Sequence, residues 1–313
     1  MSVKEFLDEV LSQPTWVRGG ERAPHKFLTV LFALGRSARG DRLTRYKDAE
    51  SSLRALLERF GPHRESHHPE QPVWRLARQR GRRTRFWNLT HMDSVRTCRS
   101  NNPSIADLRE HVSFGFSDEI CDYIQEQPGI ARYVGERLAD ELVPATIREE
   151  LLTSVGLSAD VAGTAVPELP EDVRDYVERE RKLVERVVRD ARFRKRVLDA
   201  YDYRCAVCSV QPRIDNEAFG LEAAHIRWVQ ANGADETRNG LCLCRMHHIA
   251  LDRGAIGIDE KRRVQISSRL AKSPECDELF WCFNGKPILV PSETMDAPLS
   301  AAVLWHNTQV FKR

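Results

Sequence analysis

The segment CLCRMHH, residues 242–248, decides the fold because it gathers thiol and imidazole side chains in one short stretch. Within it, Cys244 and His247 form a C-x-x-H pair, and Cys205 and Cys208 form a C-x-x-C pair earlier in the chain. Two pairs of this kind have the ligand number and spacing of a closed, tetrahedral zinc site. The sequence therefore predicts a structural Zn2+ ion bound by Cys205, Cys208, Cys244 and His247.

His248 needs a different role from that of His247, which it follows directly. Adjacent residues of a helix point about 100° apart, so His248 cannot reach the same ion and must face another centre. Cys242 lies in the apolar run LCLC, which predicts a packing role. A zinc site without chemistry, as in a binding finger, is the alternative interpretation of this segment.

Length and composition indicate two domains in a soluble chain. The chain has 313 residues, of which 41% are hydrophobic, and a formal net charge of +2. The first residues, MSVKEFLDEV, lack the basic and then apolar order of a signal peptide. The longest apolar stretch, Phe27–Gly35, is far shorter than the roughly 20 residues of a membrane span. We therefore expect a cytoplasmic protein with no membrane association and mostly reduced cysteines.

Apolar spacing predicts an α+β architecture with two domains. HKFLTVLFAL and DAESSLRALLERF carry apolar residues at intervals of three and four, which predicts amphipathic helices in a mainly helical first domain, 1–155. Gly61 and the proline after it end the second of these helices. Residues 156–192 are predicted as linker and helix, and the strongly charged stretch from Glu171 to Tyr201 as one long helix, or two in sequence, that leads into the second domain, 193–313. From Tyr201 onward, short strands, glycine turns and one short helix are predicted.

Three polar residues lie beside the two predicted zinc pairs: His225 in LEAAHIRW, Asn239 in ETRNGLCL and His248 in CRMHHIALDRG. In this order and spacing they resemble the HNH (ββα-metal) nucleases over Phe193–Gly257. The resemblance implies that His225, at the end of a strand, is the general base, and that Asn239 orients the loop and that imidazole. It also implies that His248, on the helix, binds a catalytic divalent ion such as Mn2+ or Mg2+. Phosphodiester hydrolysis requires both a base and a cation.

The segment departs from the HNH pattern at Ala224, where many members carry an aspartate that binds the metal. Two carboxylates are candidates to replace it. Asp252 is four residues after His248 and shares its helical face, whereas Glu222 is two residues before Ala224 on the same strand face. We favour Asp252 as the second metal ligand. Its alternative role is a helix cap or an ion pair, and Glu222 is the other candidate ligand.

A run of arginines, RLARQRGRRTR, lies in the first domain and contains no acidic residue. Trp74, Phe86 and Trp87 flank it. Cations interleaved with aromatic rings predict a surface that contacts DNA phosphates, and an ordinary solvated face is the alternative. The six arginines are Arg75, Arg78, Arg80, Arg82, Arg83 and Arg85.

Two further segments, FGPHRESHHPEQPVWRL and NNPSIADLREH, resemble the sulfur-binding domain of McrA-type, phosphorothioation-dependent restriction endonucleases. The order of this domain and an HNH nuclease is similar to that family over nearly the whole chain. The resemblance implies a pocket with a His-Arg pair and a Pro-x-x-Ala wall, in which a cation holds the phosphate and an apolar cup suits the poorly hydrated sulfur. Alternatively, the His-Arg pair belongs to an ordinary loop. The corresponding residues are His63, Arg64, Pro103 and Ala106, with Asn102 where relatives place an aromatic residue.

These resemblances imply a type IV-like restriction endonuclease that recognises phosphorothioate-modified double-stranded DNA and hydrolyses phosphodiester bonds near the mark. Double-strand cleavage with one active site per chain predicts a homodimer, for which the helix over 171–192 is a candidate interface. The alternatives are an HNH endonuclease that recognises methylcytosine and a non-catalytic, zinc-containing protein that binds nucleic acid. His225, Asn239 and His248 argue against the second alternative, because a binding protein has no need of all three.

Overall fold

The structure of the chain is a computed structural model. It describes residues 3–12, 17–18, 21–22, 24–62, 64–79, 82–98, 101–127, 129–158, 191–293 and 296–313. The chain divides into two compact units, Met1–Asp175 and Tyr176–Arg313, and its mixture of helices and small sheets confirms the α+β prediction. Most of the predicted linker and long helix, 159–190, lies outside the described residues. No helix within the described part of the chain is long and apolar enough to cross a membrane.

The first unit is mainly helical, as predicted. Its helices are α1 Val3–Leu11, α2 His25–Ala38, α3 Tyr46–Phe60, α4 Glu70–Leu76, α5 Ile105–His111, α6 Asp118–Glu126, α7 Ile130–Asp140 and α8 Ala145–Ser154. Its strands are β1 Val17–Arg18, β2 Glu21–Arg22, β3 Leu43–Arg45, β4 Arg78–Gln79, β5 Arg82–Arg83, β6 Trp87–Leu89 and β7 Ser113–Phe116. Strands β3, β7 and β6 form an antiparallel sheet in that order, and β1–β2 and β4–β5 are short hairpins.

Helix α2 is the centre of this unit. Its side chains are buried on nearly all sides, which is typical of a helix surrounded by other elements, and it contacts α3, α4, α6 and α7. Gly35 allows the carbonyl of Val155 to approach the helix closely, because a Cβ at this position would lie 1.7 Å from that oxygen. Helix α3 ends at Phe60, and Gly61 follows it in extended conformation, as the sequence predicts.

The aromatic residues beside the arginine run belong to the core, which corrects the expectation that these rings share the surface with the arginines; contact of the arginines with DNA phosphates stays a prediction. Trp74, Phe86 and Trp87 are 8%, 0% and 5% exposed. The ring of Trp87 stacks on Phe114 at a centroid distance of 5.6 Å, and its indole nitrogen donates a hydrogen bond to the carbonyl of Val73. The sequence pattern does not distinguish rings that face inward from rings that face DNA, and here all three rings face inward.

After Tyr201, the second unit contains more helix than the one short helix that the sequence predicts. Its helices are residues 191–200 (α9), which belong to the predicted long helix, α10 Arg245–Asp252, α11 Pro274–Leu279 and α12 Ser300–Gln309. Its strands are β8 Arg213–Ile214, β9 Glu217–Ala218, β10 Leu221–His225, β11 Gly240–Cys244, β12 Ile256–Ile258 and β13 Val264–Ile266. Helix α11 begins at a Ser-Pro start in which Ser273 caps the first turn. Helix α12 buries one face, but that face includes the polar His306 while Leu304 is 60% exposed, so its sequence lacks a clear amphipathic pattern.

Strands β10 and β11 and helix α10 form the ββα core of this unit. The strands are antiparallel, with His225 opposite Gly240 and Leu221 opposite Cys244. Helix α10 begins directly after β11 and packs on both strands. His306 of α12, which had no role assignable from the sequence, is 1% exposed and its Nε2 lies 2.9 Å from the carbonyl oxygen of Leu251. The end of α10 is therefore tied to the C-terminal helix.

Candidate functional site

A cluster of four side chains joins the loop after α9 to the junction of β11 and α10. The ligand atoms of Cys205, Cys208, Cys244 and His247 all lie within 4.8 Å of one another. His247 Nδ1 lies 3.1 Å from the sulfur of Cys244 and 3.6 Å from that of Cys205, close to the roughly 3.5 Å that separates S and N ligands around a tetrahedral zinc ion. His247 Nε2 lies 2.9 Å from the carbonyl oxygen of Leu279. A proton on Nε2 donated to that carbonyl leaves Nδ1 to bind a metal, so the donors fit an ion.

This cysteine–histidine cluster fixes the position of α10 relative to the chain before it. Cys205 and His247 are buried, whereas Cys208 and Cys244 are partly exposed. Cys242 is not part of the cluster; it is fully buried in the core, as the sequence predicts, and its carbonyl accepts a hydrogen bond from the amide of Ala206. The cluster therefore holds together a loop, a strand end and a helix start.

His225 lies at the last position of β10 and has two neighbours that the sequence analysis missed. Its Nε2 lies 2.9 Å from Asp235 Oδ1, and its ring stacks on Phe193 of α9 at a centroid distance of 3.9 Å and an angle of 14°. One edge and one face of the imidazole are thus held. An acidic residue in the loop before Asn239 was a usable signal for Asp235, because a histidine base commonly has a carboxylate on its second nitrogen.

Asn239 is the residue that fixes the loop between β10 and β11. It is 3% exposed, and its Oδ1 accepts a hydrogen bond from the amide of Arg227 at 2.9 Å. Its Nδ2 donates to the carbonyls of Arg227, at 3.0 Å, and Ala234, at 2.9 Å. The resemblance to HNH nucleases implies that Asn239 orients both this loop and His225. These contacts hold the loop backbone at Arg227 and at Ala234, the residue immediately before Asp235.

His248 is placed between the two carboxylates that the sequence offers as alternatives. Its Nδ1 lies 2.7 Å from Glu222 Oε2, and its Nε2 lies 3.3 Å from Asp252 Oδ2. Burial alone lowers the pKa of His248, but the hydrogen bonds to Asp252 and Glu222 outweigh it and raise the pKa to about 9. The Glu222 side chain is 35% exposed and that of Asp252 only 2%. The site thus combines one imidazole, one accessible carboxylate and one buried carboxylate.

In the first unit, the structure places only part of the predicted sulfur pocket. His63 and Arg80 lie outside the described residues. Pro103 is buried and Ala106 is exposed in the first turn of α5. The guanidinium of Arg75 donates a hydrogen bond to Asn102 Oδ1 at 2.9 Å, so a residue of the arginine run meets the pocket wall. Three other arginines, Arg78, Arg82 and Arg83, lie in the hairpin β4–β5, and the backbone amide of exposed Arg85 donates to Glu9.

The wall that carries Pro103 and Ala106 is braced by an ion pair that the sequence analysis missed. The guanidinium of Arg96 donates two hydrogen bonds to Asp107, at 2.9 and 2.7 Å, and the amide of Arg96 donates a third at 2.9 Å. The Arg96 guanidinium holds the pKa of that carboxyl far below its usual range. Ser104 caps α5 by accepting a hydrogen bond from the amide of Asp107. The segment before α5 is therefore anchored to the helix.

Two further residues at the start of α2, His25 and Lys26, interact with residues of the predicted pocket region. Burial lowers the pKa of His25 to about 4, and the charges of His67 and Arg64 add to this effect. Burial also lowers the pKa of Lys26, followed by the charge of Arg75. The first turn of α2 contains no acidic residue. Arg64 and Arg75 therefore lie in a locally positive region, which suits a phosphate backbone.

A comparison with protein families matches residues 3–160, half of the chain, to the ScoMcrA-like DNA sulfur-binding domain. The chain belongs to this family. Residues 205–259 match the HNH endonuclease family model, which spans the cysteine–histidine cluster, His225, Asn239 and His248. This member of the ScoMcrA-like family therefore carries an HNH endonuclease domain after its DNA sulfur-binding domain.

Solved structures similar to this chain include the sulfur-binding domain of ScoMcrA complexed with phosphorothioated DNA, which is 21% identical over 50% of this chain and 98% of its own, with a TM-score of 0.43. The sulfur-binding domain of SprMcrA complexed with phosphorothioated DNA is 22% identical over 50% of this chain and 95% of its own, with a TM-score of 0.40. The type IV phosphorothioation-dependent restriction endonuclease ScoMcrA is 19% identical over 50% of this chain, with a TM-score of 0.41, and only 33% of its length is covered. No curated protein matches the chain.

The hydrogen bonds of Asn239 predict a large effect of Asn239→Asp. An aspartate of nearly the same size still accepts from the amide of Arg227 but cannot donate to the carbonyls of Arg227 and Ala234, and it buries a charge against them. We expect the free energy of unfolding of the second unit to fall by at least about 2 kcal/mol. Denaturant unfolding measures this loss. The exposed Asn232, in the same loop, provides the control Asn232→Asp, which should change the value by less than about 0.5 kcal/mol. Equal stability of both variants would contradict the assigned role.

Proposed function

We propose that this chain is a type IV-like restriction endonuclease that recognises phosphorothioate-modified double-stranded DNA with its first domain, 1–155, and hydrolyses nearby phosphodiester bonds with its second, 193–313. One observation carries the proposal. A family-matched DNA sulfur-binding domain precedes, in the same chain, an HNH domain in which His225 and His248 each have a carboxylate within hydrogen-bond distance. Such an enzyme would act in the cytoplasm, and double-strand cleavage would use two copies of the chain.

Recognition of the mark would depend on the anchored segment before α5. A sulfur atom in place of a non-bridging oxygen is larger and less well hydrated than oxygen, so it gains from contact with apolar Pro103 and Ala106. Arg64 and Arg75 would hold the phosphate charge whether or not sulfur is present. His63 remains a proposed partner of Arg64 in this pocket. The hydrogen bond from Arg75 to Asn102 supports a pocket in which a phosphate-binding cation contacts the residue next to Pro103 in the wall.

Cleavage would begin when His225 takes a proton from a water molecule. The water oxygen forms a bond to phosphorus, and the bond from phosphorus to the leaving sugar oxygen breaks. That oxygen takes a proton from solvent, and His225 later returns its proton to solvent. A divalent ion such as Mn2+ or Mg2+, held at His248, would supply positive charge beside the phosphate. Asn239 supports the step by fixing the loop next to His225.

Glu222 and Asp252 would have different roles beside His248, one binding the ion and the other orienting the imidazole. A histidine that binds metal through one ring nitrogen commonly donates from the other to a carboxylate. The sequence favours Asp252 as the second ligand, but its 2% exposure suits the orienting role on Nε2. Glu222, at Nδ1 and 35% exposed, is better placed to share an ion with DNA. We therefore propose Glu222 as the co-ligand, with Asp252 as the alternative.

We also propose that the cysteine–histidine cluster holds one structural Zn2+ ion. Three thiolates and one imidazole suit zinc and leave no position for water. The cluster joins a loop, a strand and the helix that carries His248, so the ion would hold the catalytic helix in position.

Metal analysis of the purified chain should find about one tightly held zinc per molecule, and Cys208→Ser should lose it and unfold the second unit. Cys282, which is exposed and outside the cluster, gives the matched control Cys282→Ser, which should retain zinc and stability. A Cys208→Ser protein with full zinc content and full stability would rule out the assignment.

The catalytic proposal predicts that His225→Ala reduces cleavage by roughly 10²- to 10⁴-fold, because the base that activates water is removed. DNA affinity should be unchanged, since recognition lies in the first domain. Gel-based cleavage and fluorescence anisotropy measure the two quantities on the same duplex. Cleavage at the wild-type rate would exclude His225 as the general base and with it the HNH mechanism, whereas absence of cleavage by the wild type itself would favour a non-catalytic binding protein.

The roles of the two carboxylates beside His248 can be distinguished by the metal concentration that gives half-maximal cleavage. Glu222→Gln should raise this concentration at least about tenfold, and Asp252→Asn should raise it less, because Asp252 acts through the imidazole. Manganese titrations of both variants at saturating DNA provide the comparison. The reverse order would assign the ligand role to Asp252, and an unchanged titration for both would remove both residues from the metal site.

The sulfur pocket predicts that Ala106→Glu removes the preference for phosphorothioate DNA, because a larger, negative side chain then occupies the cup. Ala106→Gln is a control of equal size without charge, and it should also lose the preference while binding plain DNA normally. Arg75→Ala should instead weaken binding to modified and plain DNA alike and reduce the salt slope by about one. Competition binding at fixed salt resolves a tenfold preference, about 1.4 kcal/mol. An undiminished preference in Ala106→Glu would place the pocket elsewhere.

A further inference from the structure

The loop between β10 and β11 brings a carboxylate to the candidate base. Asp235 Oδ1 lies 2.9 Å from His225 Nε2, and the two side chains are 31% and 18% exposed. The ring of Phe193 lies nearly parallel to the imidazole at 3.9 Å. The carboxylate contacts the edge of the imidazole and the aromatic ring covers one face. The rotation of the His225 side chain is therefore restricted in two directions.

Asp235 is itself held on both sides through backbone carbonyls. Asn239 donates a hydrogen bond to the carbonyl of Ala234, immediately before it. Arg196 of α9 donates to the carbonyl of Asp235 at 2.6 Å. Gly233 permits the sharp turn before this point, since a Cβ there would lie 1.8 Å from a backbone oxygen. These contacts give Asp235 a fixed backbone position, which a residue that orients a catalytic group needs.

We propose that Asp235 is a positioning residue for phosphodiester cleavage. Its carboxylate accepts a hydrogen bond from Nε2–H of His225, which leaves the lone pair on Nδ1. Nδ1 is then the atom that takes the proton from the attacking water. The inference rests on the proposed role of His225 as the general base.

The chemistry of a neutral imidazole supports this role for Asp235. The ring carries one proton, and the hydrogen bond made by one nitrogen decides which nitrogen has the lone pair. A carboxylate also stabilises the imidazolium that forms when the base takes a proton. A merely structural Asp–His pair would tie the loop to the strand without selecting the protonated nitrogen. The two roles therefore differ in a quantity that can be measured without cleavage.

Asp235→Asn in the full chain tests the proposal, because an asparagine can donate to Nε2 and so stabilise the opposite tautomer. We expect cleavage at saturating DNA and metal to fall about 10²-fold or more, with unchanged DNA affinity. Long-range 1H–15N spectra of the chain should show His225 protonated on Nε2 in the wild type and a shift toward Nδ1 protonation in Asp235→Asn. The His225 signal is identified by its loss in His225→Ala. Asp235→Glu, which keeps a carboxylate, should restore the Nε2 proton and part of the rate.

The exposed neighbour Glu236 gives the matched control Glu236→Gln, which removes the same charge one residue away and should leave rate and spectrum unchanged. The proposal is overturned if Asp235→Asn cuts at the wild-type rate, or if it loses activity while His225 keeps its Nε2 proton. Failure of the proposed function is a different result, in which His225→Ala itself cleaves normally. An inactive His225→Ala with a fully active Asp235→Asn removes only the role of Asp235.

Discussion

The convergence of four ligand atoms within 4.8 Å is the constraint on which the second unit depends. The cluster contains two thiols from the loop after α9, one thiol from the end of β11 and one imidazole from α10. Because His248 immediately follows the imidazole of the cluster, whatever fixes His247 also fixes the direction of His248. The pairing of β10 with β11 then sets the position of His225 relative to the same helix. A proposed zinc ion would thus help to position His225 and His248 without binding either of them.

Within this frame the two histidines are supported in different ways. His248 lies between an accessible and a buried carboxylate, an environment suited to a cation. His225 is held by one carboxylate and one aromatic ring, an environment suited to a base of defined tautomer. Asn239 supports the His225 side of the site, because its amide closes the loop that carries Asp235. In the first unit the ion pair of Arg96 with Asp107 has a similar supporting role for the segment of Pro103.

Spacing along the chain was sufficient to predict the features that depend on local geometry. The C-x-x-C and C-x-x-H pairs, the helices α2 and α3, and the packing role of Cys242 are of this kind. Contacts between residues far apart in irregular loops, such as Arg96 with Asp107, have no periodic pattern and were missed. The burial of Trp87 was also missed, because composition does not indicate which way a ring points. Helix α12 escaped prediction because its buried face includes the polar His306 and its exposed face carries Leu304, which removes the amphipathic signal.

The central claim is that one chain couples recognition of a backbone sulfur to cleavage by an HNH centre. The most direct measurement is cleavage by the wild-type protein, with Mn2+, of one duplex prepared in three forms: phosphorothioate-modified, methylated at cytosine, and unmodified. We expect strand cleavage near the mark in the phosphorothioate duplex, and little or none in the other two. Equal cleavage of all three forms, or cleavage of the methylated duplex alone, would contradict the coupling of sulfur recognition to cleavage.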